Sequence, residues 1–371
     1  MTQYSSSILS LPLPPSLESS FKSTKKKNQR QMELLSNQPM YQTVPEKYIF
    51  PPEKRMVKDI ILHSVNLPVI DLRGGRVDAE GWCEIIGEIM KAGKEFGFFQ
   101  VINHGIPEKT ISDMLQVCDE FFKMPAEEKA QYYSNDLSKP FLLNSSTTYD
   151  KSETRYWRDY LRLVCYPIEE VIDAWPEKPE NFRAVLSEYT LQVRELSSKL
   201  LKLIAEGLGL DKDYFGGDFS TGKTQMNINH YPPCPDPSLT MGLLPHCDRH
   251  LITLLAQGTV SGLQARYMEG WINVEPIPNA FVINFGHQLE IITNGMLKSV
   301  EHRAVTNSAI ARTSIATLIM PKTDCLIAPA KELLNENNPP KYKEFMFTEF
   351  LKAYDAASAS REDVLEFFKL N

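Results

Sequence analysis

Apolar and polar positions change their spacing along the chain, and these changes predict its elements. Between Arg183 and Leu208, apolar positions recur every three or four residues and stop at Gly209, which predicts a long helix packed by one face. The short apolar run 67–72 predicts a strand, and the run 97–105, which is rich in aromatic and β-branched residues and ends at a glycine turn, predicts a buried strand. His104 lies in the turn that ends this second run, where a structural hydrogen bond is its expected role.

After Gly216 the pattern becomes a series of short β-rich runs separated by Gly, Pro and Asn, among them MNINHY, LITLL, WINVEP, AFVINFG and TSIATLIMP. Serial short strands predict an antiparallel barrel or jelly roll. The fold class we expect is mainly β with flanking helices, built on a double-stranded β-helix (jelly-roll) core over 216–325. An N-terminal α/β region over 44–215 would pack on this core, and a C-terminal helical extension over 326–371 would cover the site.

Residues 1–43 form the predicted tail. Its first 31 residues are rich in Ser, carry several basic side chains against the single acid Glu18, and show no periodicity, which predicts disorder. Such a composition suits a plastid transit peptide, and it suits equally a dispensable extension before Met32. We expect a cytoplasmic protein, with plastid targeting as the alternative.

Composition narrows the possible partners. The 371 residues are 42% hydrophobic, enough for a large core, and the formal net charge of −7 argues against general affinity for nucleic acid or anionic membranes. No apolar run approaches the roughly 20 residues that span a bilayer. The six cysteines show no paired spacing, which favours reduced thiols. We expect a monomer that acts on a small molecule.

Two histidines and an aspartate stand within the sequence HCDRH, directly before the apolar run LITLL. Residues two apart in a strand face the same side, so His246 and Asp248 can project together while Cys247 points away. His302, at the start of another β-rich run, is the best candidate for a third ligand. Two imidazoles and one carboxylate suit a non-haem Fe(II) site with open positions, and they also suit a hydrolytic Zn²⁺ site.

The strand after His302 carries a second pair with the same spacing, Arg312 and Ser314. A guanidinium and a hydroxyl on one face can bind a carboxylate together. The apolar sequence SIATLIM indicates that this strand is buried, and a buried arginine needs an anionic partner. A dicarboxylic acid whose other end chelates the metal would meet that need, whereas a hydrolase has no evident use for it.

With these motifs on one chain, the sequence resembles the plant 2-oxoglutarate- and Fe(II)-dependent dioxygenases. The resemblance extends over roughly residues 44–350 and includes NHYPPCPDP, EFGFFQVINHGIP, WRDYL and NPPKYKEFMFTEFL. It implies two sets of binding residues: His246, Asp248 and His302 for Fe(II), and Arg312, Ser314, Tyr231 and Asn229 for 2-oxoglutarate.

The resemblance also implies the reaction. O₂ and 2-oxoglutarate would be consumed, with release of succinate and CO₂, as a substrate C–H bond is oxidised, and ascorbate would serve as reductant. Hydroxylation, desaturation, epoxidation and demethylation share that beginning. The sequences CYP, WPEKP and VEPIPNAFVIN look most like the branch that contains the tropane-alkaloid (hyoscyamine) hydroxylase, so a specialised metabolite, an alkaloid, is the expected substrate. A flavonoid or hormone-type substrate is the alternative, and a metal-dependent hydrolase or a catalytically silent binding protein is a remote one.

Two departures from the family pattern lie near the expected site. His287 replaces the acid of a G-D-Q sequence, and Arg249 and His250 follow the HxD pair where a small residue or Asn is usual. His250 is not assigned to the metal, because His302 supplies the third ligand in the matching motif, and with Arg249 it becomes a candidate for variation at the pocket rim. The candidate substrate contacts are Phe285, His287, Tyr149 and Trp157, each with ordinary packing as its alternative.

Overall fold

The computed structural model describes residues 34–37, 41–56, 60–73, 79–136, 138–146, 154–356 and 361–370. The helices in these ranges are α1 (Ala79–Glu95), α2 (Glu108–Lys123), α3 (Ala126–Lys129), α4 (Ile168–Val171), α5 (Phe182–Gly207), α6 (His287–Ile292), α7 (Phe347–Ala356) and α8 (Arg361–Glu366). The strands are β1 (Val69–Asp71), β2 (Phe98–Ile102), β3 (Phe141–Ser145), β4 (Asp159–Tyr166), β5 (Thr224–Tyr231), β6 (Leu243–His246), β7 (Ile252–Ala256), β8 (Leu263–Tyr267), β9 (Gly270–Val274), β10 (Phe281–Phe285), β11 (His302–Ala304), β12 (Arg312–Ile319), β13 (Leu326–Ile327) and β14 (Phe345–Met346).

Two main sheets form the predicted jelly-roll core. The larger has eight strands in the order β1-β2-β10-β7-β12-β5-β4-β3, and the smaller has four in the order β6-β11-β8-β9. All of their pairings are antiparallel except that of β1 with β2. The fold is therefore mainly β with flanking helices, as the strand pattern predicts.

Alternation along the large sheet separates a core face from a cavity face. On β12, Ile315 and Ile319 belong to the main hydrophobic core. The alternate positions Ser314, Ala316 and Leu318 line a cavity. The same division holds on β4, β5, β7 and β10. One face is thus committed to packing, and the other is available for ligands.

Helix α5 contributes to the core and agrees with its predicted span. Leu196, Leu200, Leu203 and Ile204 are all buried on it, and Gly209 follows with a φ of +73°, a conformation that favours glycine. His104 also has its expected structural role, since Nε2 donates to the carbonyl of Asn279 and Nδ1 accepts from the N–H of Ile106.

The predicted boundary at 215–216 does not divide two structural units. Strands β1 to β4 come from the N-terminal side of that boundary, yet they join β5, β7, β10 and β12 in one sheet, and Leu34–Asn371 clusters as one unit. Alternation on a single strand cannot reveal which distant strand will become its neighbour.

The predicted tail also extends too far. Leu34 and Leu35 are buried, and the carboxylate of Asp159 accepts hydrogen bonds from the N–H groups of Leu35 and Ser36. Residues 1–31, on which the transit-peptide alternative depends, lie outside the described residues. Among the residues that are described, no helix combines the length and the apolar character required to cross a membrane.

Candidate active site

Three side chains from the small sheet and its connecting loop meet at one point of the cavity. His246 ends β6, His302 begins β11, and these two residues are paired across the strands. Oδ1 of Asp248 lies 4.0 Å from Nε2 of His246 and 3.9 Å from Nε2 of His302. One potential ligand atom from each residue lies within 4.8 Å of the others. The structure therefore brings together the three residues predicted for the metal.

The orientation of both imidazoles is set by the backbone. Nδ1 of His246 donates to the carbonyl of Leu244 at 2.9 Å, and Nδ1 of His302 donates to that of Val300 at 3.2 Å. Each Nε2 is left as an acceptor directed at the shared point, as metal-binding histidines require. Burial, together with the neighbouring charge of His302, lowers the pKa of His246 to about 3. The neutral form that binds a metal is therefore favoured.

Asp248 is positioned differently from its prediction. It lies in the loop after β6, so strand alternation does not align it with His246. Instead, its Oδ2 accepts hydrogen bonds from Oγ1 of Thr253 and, at 2.6 Å, from Nδ2 of Asn284. Burial would raise the pKa of this carboxyl, but His250, His302 and His246 hold it well below its usual range. Oδ1 is left to face the two histidines.

His250 belongs to this supporting network. It is fully buried, and its Nε2 contacts Oγ1 of Thr253. Because the single hydroxyl proton of Thr253 goes to Asp248, Nε2 of His250 must be the donor in that contact. Its predicted exclusion from the metal agrees with the geometry, but it supports Asp248 from the interior and does not lie at the pocket rim.

The sequence Gly286-His287-Gln288 holds the same loop from its other side. The N–H of His287 donates to the carbonyl of Asp248 at 2.8 Å, and Nε2 of Gln288 donates to that of Arg249 at 3.0 Å. A Cβ added at Gly286 would lie 1.8 Å from the carbonyl oxygen of His250, so only glycine permits this approach. The backbone of this segment therefore contributes more to the site than the side chain of His287.

The second predicted group lies on the facing sheet. Arg312 and Ser314 share the cavity face of β12, and their cross-strand neighbours on β5 are Tyr231 and Asn229. Nη1 of Arg312 donates to Oγ of Ser314 at 3.2 Å, and its guanidinium lies over the ring of Tyr231. Arg312 is 2% exposed, and no carboxylate among the described residues forms an ion pair with it. A bound dicarboxylate would supply that partner.

One cavity of about 350 Å³ is lined by both groups. Its wall also contains residues that the sequence analysis did not assign to the site: Arg158, Tyr160, Arg162, Gln225, Asn227, Thr253, Asn284, Tyr354 and Asp355. Two of the missed strand residues, Gln225 and Asn227, share the alternation of the assigned Asn229 on β5. Tyr354 and Asp355 come from α7, so the C-terminal extension does reach the cavity.

Three of the predicted substrate contacts do not line this cavity. Phe285 belongs to the core face of β10 and packs against Phe99. His287 is buried beside Phe350 and Tyr354, and Trp157 is buried between Tyr41 and Tyr48. Packing, the stated alternative, replaces substrate contact for all three. Tyr149 lies outside the described residues.

Two family descriptions match separate parts of this sequence. A family described as "2OG-Fe(II) oxygenase superfamily" matches residues 223–321, and one described as "non-haem dioxygenase in morphine synthesis N-terminal" matches residues 67–182. The 2'-deoxymugineic-acid 2'-dioxygenase of Hordeum vulgare is 49% identical over 323 residues, which cover 87% of this chain and 93% of the relative. The chain belongs to the 2OG-Fe(II) oxygenase superfamily.

Two further proteins, one known from its sequence and one from a crystal structure, are also similar to this chain. The hyoscyamine 6-dioxygenase of Hyoscyamus niger is 40% identical and covers 89% of this chain and 96% of its own. A crystal structure of JOX2 in complex with 2OG, Fe and JA has a TM-score of 0.80 at 32% identity, covering 91% of this chain and 96% of that one. The hyoscyamine enzyme is thus among the relatives of this chain, as its sequence predicts, and the barley dioxygenase is more similar still.

The donor set fits the cofactors that the family implies, which are Fe(II), 2-oxoglutarate and O₂. Two neutral imidazoles and one carboxylate form the facial arrangement of non-haem iron oxygenases. Arg312 is the buried cation that a dicarboxylate co-substrate needs. The enzyme is therefore a 2-oxoglutarate-dependent dioxygenase.

Proposed function

We propose that this dioxygenase hydroxylates a C–H bond of a small plant specialised metabolite. The observation that carries the proposal is one shared cavity of about 350 Å³, whose wall contains the three candidate metal-binding side chains, the Arg312–Ser314 pair and further polar groups. Small-molecule sites have volumes of this order. Iron bound at the site supplies the activation of O₂ that couples decarboxylation of 2-oxoglutarate, to succinate and CO₂, with substrate oxidation.

The residues of the chain provide position and exclusion of water. The two histidines and Asp248 hold the metal, while Arg312 and Ser314 bind the far carboxylate and so fix the orientation of 2-oxoglutarate. Tyr231 and Asn229 lie beside this pair on β5. Phe98, whose ring centre lies 5.3 Å from that of His302, joins Leu243, Leu255 and Leu263 in an apolar part of the cavity wall, which limits entry of water.

Alternative substrates and products remain within the same class of enzyme. The names of similar proteins include a mugineic-acid dioxygenase and a flavanone dioxygenase as well as the hyoscyamine enzyme, so overall similarity does not select one substrate. A flavonoid or hormone-type substrate is the second candidate, and desaturation or epoxidation would use the same site. A cytoplasmic location, a monomeric state and ascorbate as reductant complete the proposal.

The test is succinate release from 2-oxoglutarate in the presence of Fe(II), with a plant metabolite extract as the substrate source. We expect His246→Ala to reduce release to background, because the metal loses one of three protein ligands. His63→Ala, which removes an exposed histidine, is the matched control and should behave as wild type. Equal turnover by wild type and His246→Ala would contradict the ligand assignment. The mass of the product distinguishes hydroxylation from desaturation.

A further inference from the structure

Arginines line the cavity beyond the one expected to bind 2-oxoglutarate. Arg158 immediately precedes β4, and Arg162 lies on the cavity face of that strand, where Asn227 of β5 is its cross-strand neighbour. Arg249 reaches the same cavity from the loop after Asp248. We call Arg158, Arg162 and Arg249 the arginine wall.

Arg158 is the deepest member of this wall. It is 6% exposed, its guanidinium lies 4.7 Å from the centre of the Tyr160 ring, and Nη1 donates to Oδ1 of Asn229 at 3.0 Å. Its Nε is buried and has no hydrogen-bond partner, and no carboxylate in the described ranges forms an ion pair with it. A buried guanidinium with an unused donor is costly unless a ligand satisfies it.

Arg162 and Arg249 are half-buried, and they are close enough to affect each other. Burial lowers the pKa of Arg162, Tyr160 opposes that change, and the charge of Arg249 adds to it. Arg249 lies 3.6 Å from Asp355, whose side chain is 73% exposed. An exposed pair of this kind contributes little, so Asp355 only weakly offsets the positive charge.

The acidic residues of the cavity wall do not neutralise the arginine wall. Among the described residues that line the cavity, the acids are Asp248 and Asp355, and Asp248 faces the metal site. Its charge and two negative charges from 2-oxoglutarate are balanced by a divalent metal and Arg312. The arginine wall is therefore left with net positive charge where the cavity accommodates the substrate, which disfavours a protonated amine and favours an anion.

We propose that the arginine wall binds a carboxylate or equivalent anionic group of the substrate, so that this enzyme oxidises organic acids and not cationic alkaloids. This proposal rests on the proposed function and specifies its substrate class. Arg158, just before β4, and Arg162, on β4, are separated by four positions, and Tyr160 between them also lines the cavity. A planar acid can stack on Tyr160 while its carboxylate contacts one of the two guanidinium groups.

The first experiment separates a plant extract by charge. The extract is divided at pH 7 into fractions retained by an anion exchanger, retained by a cation exchanger, or retained by neither, and each is tested for stimulation of succinate release by the Fe(II)-loaded enzyme. We expect the stimulating compounds in the fraction retained by the anion exchanger. Stimulation confined to the neutral or cationic fraction would overturn the substrate class while leaving the dioxygenase assignment intact.

The second experiment measures binding without turnover. Protein saturated with Mn(II) and 2-oxoglutarate is heated in the presence of cinnamate, its methyl ester, citrate or tropine, and the shift in Tm gives the affinity. Saturation with 2-oxoglutarate prevents the acids from binding merely at Arg312. We expect at least one acid to raise Tm and the ester and tropine to have no effect. The proposal is overturned if neither acid raises Tm, or if the ester or tropine is as effective.

Substitutions test whether the acid binds at the arginine wall. Arg162→Gln should weaken acid binding about tenfold to hundredfold, because a charge-assisted hydrogen bond is lost. Arg266→Gln removes the same charge from β8 outside the cavity and should bind acid as wild type does. A rise in Tm on addition of 2-oxoglutarate verifies that each variant is folded. Arg158→Gln is tested in the same way, because the carboxylate can contact either guanidinium group. Equal acid affinity in wild type, Arg158→Gln and Arg162→Gln overturns the proposal, whereas failure of 2-oxoglutarate to stabilise the wild type overturns the proposed function as well.

Discussion

Two parts of the cavity wall, the metal end (His246, Asp248 and His302) and the arginine wall, differ in how completely the protein satisfies their polar groups. At the metal end, Nδ1 of each histidine donates to a backbone carbonyl, and Oδ2 of Asp248 accepts from Thr253 and Asn284. At the arginine wall, Arg158 retains a buried Nε without a partner. The first end is organised before any ligand arrives, whereas the second depends on a ligand for its remaining bonds.

This difference indicates which part of the site determines chemistry and which part determines substrate. A preorganised metal centre can support one reaction in many relatives, and the groups opposite it can vary with the molecule to be oxidised. Similar proteins named for mugineic acid and for hyoscyamine agree with this division. Changes at the metal end should therefore affect every substrate, and changes at the arginine wall should affect only some.

The largest effect on the function of the cavity is expected from substitution of Arg312, which should weaken binding of 2-oxoglutarate. Arg312→Lys keeps the charge but loses the planar fork that binds a carboxylate through two nitrogens. We expect about 2–5 kcal/mol of lost binding, so the KM for 2-oxoglutarate should rise at least about thirtyfold. Succinate release at varied 2-oxoglutarate measures this change. Arg266→Lys is the control, and an unchanged KM in Arg312→Lys would show that the co-substrate is bound elsewhere.

A smaller effect is expected from the support of Asp248. Thr253→Val removes a hydrogen-bond donor to Oδ2 and frees the carboxylate to turn away from the histidines. Loss of such an outer partner typically weakens metal binding about tenfold to hundredfold. Titration with Mn(II) measures the affinity, with Thr110→Val on α2 as a buried threonine outside the site. If Thr253→Val binds Mn(II) as tightly as wild type, Asn284 alone is sufficient to hold the carboxylate.

The smallest effect on catalysis is expected at Trp157, which the sequence analysis placed at the substrate. Trp157→Phe loses the bond from Nε1 to the carbonyl of Pro232 at 2.9 Å, which leaves a half-buried acceptor without this donor. We expect the free energy of unfolding to fall by about 1–3 kcal/mol, seen as a lower Tm, with the KM for 2-oxoglutarate unchanged. A Tm equal to that of wild type together with a higher KM for substrate would restore the original assignment.

Local patterns were sufficient for much of the fold and for the metal and co-substrate residues. The long helix α5 and the serial strands have strong periodicity. The pairs His246–Asp248 and Arg312–Ser314 each lie within a short segment, and His302 begins a further β-rich run. The same alternation could have separated Asn284 from Phe285, because Phe281, Ile283 and Phe285 share the core face of β10. The error there was to choose substrate contacts by nearness in sequence.

Other features depend on residues far apart in the chain. Arg158 comes from the edge of β4, Arg249 from a loop and Tyr354 from α7, and only folding brings them to one cavity. The sequence by itself predicted the mainly β class from its serial short strands and the co-substrate pair from spacing on one strand, while the predicted metal ligands combine the short His246–Asp248 motif with the distant His302. Tertiary structure alone decided the joining of the N-terminal strands to the large sheet, the support of Asp248 and the arginine wall. The physical reason is that sheet pairing and burial of charge depend on neighbours that no local pattern identifies.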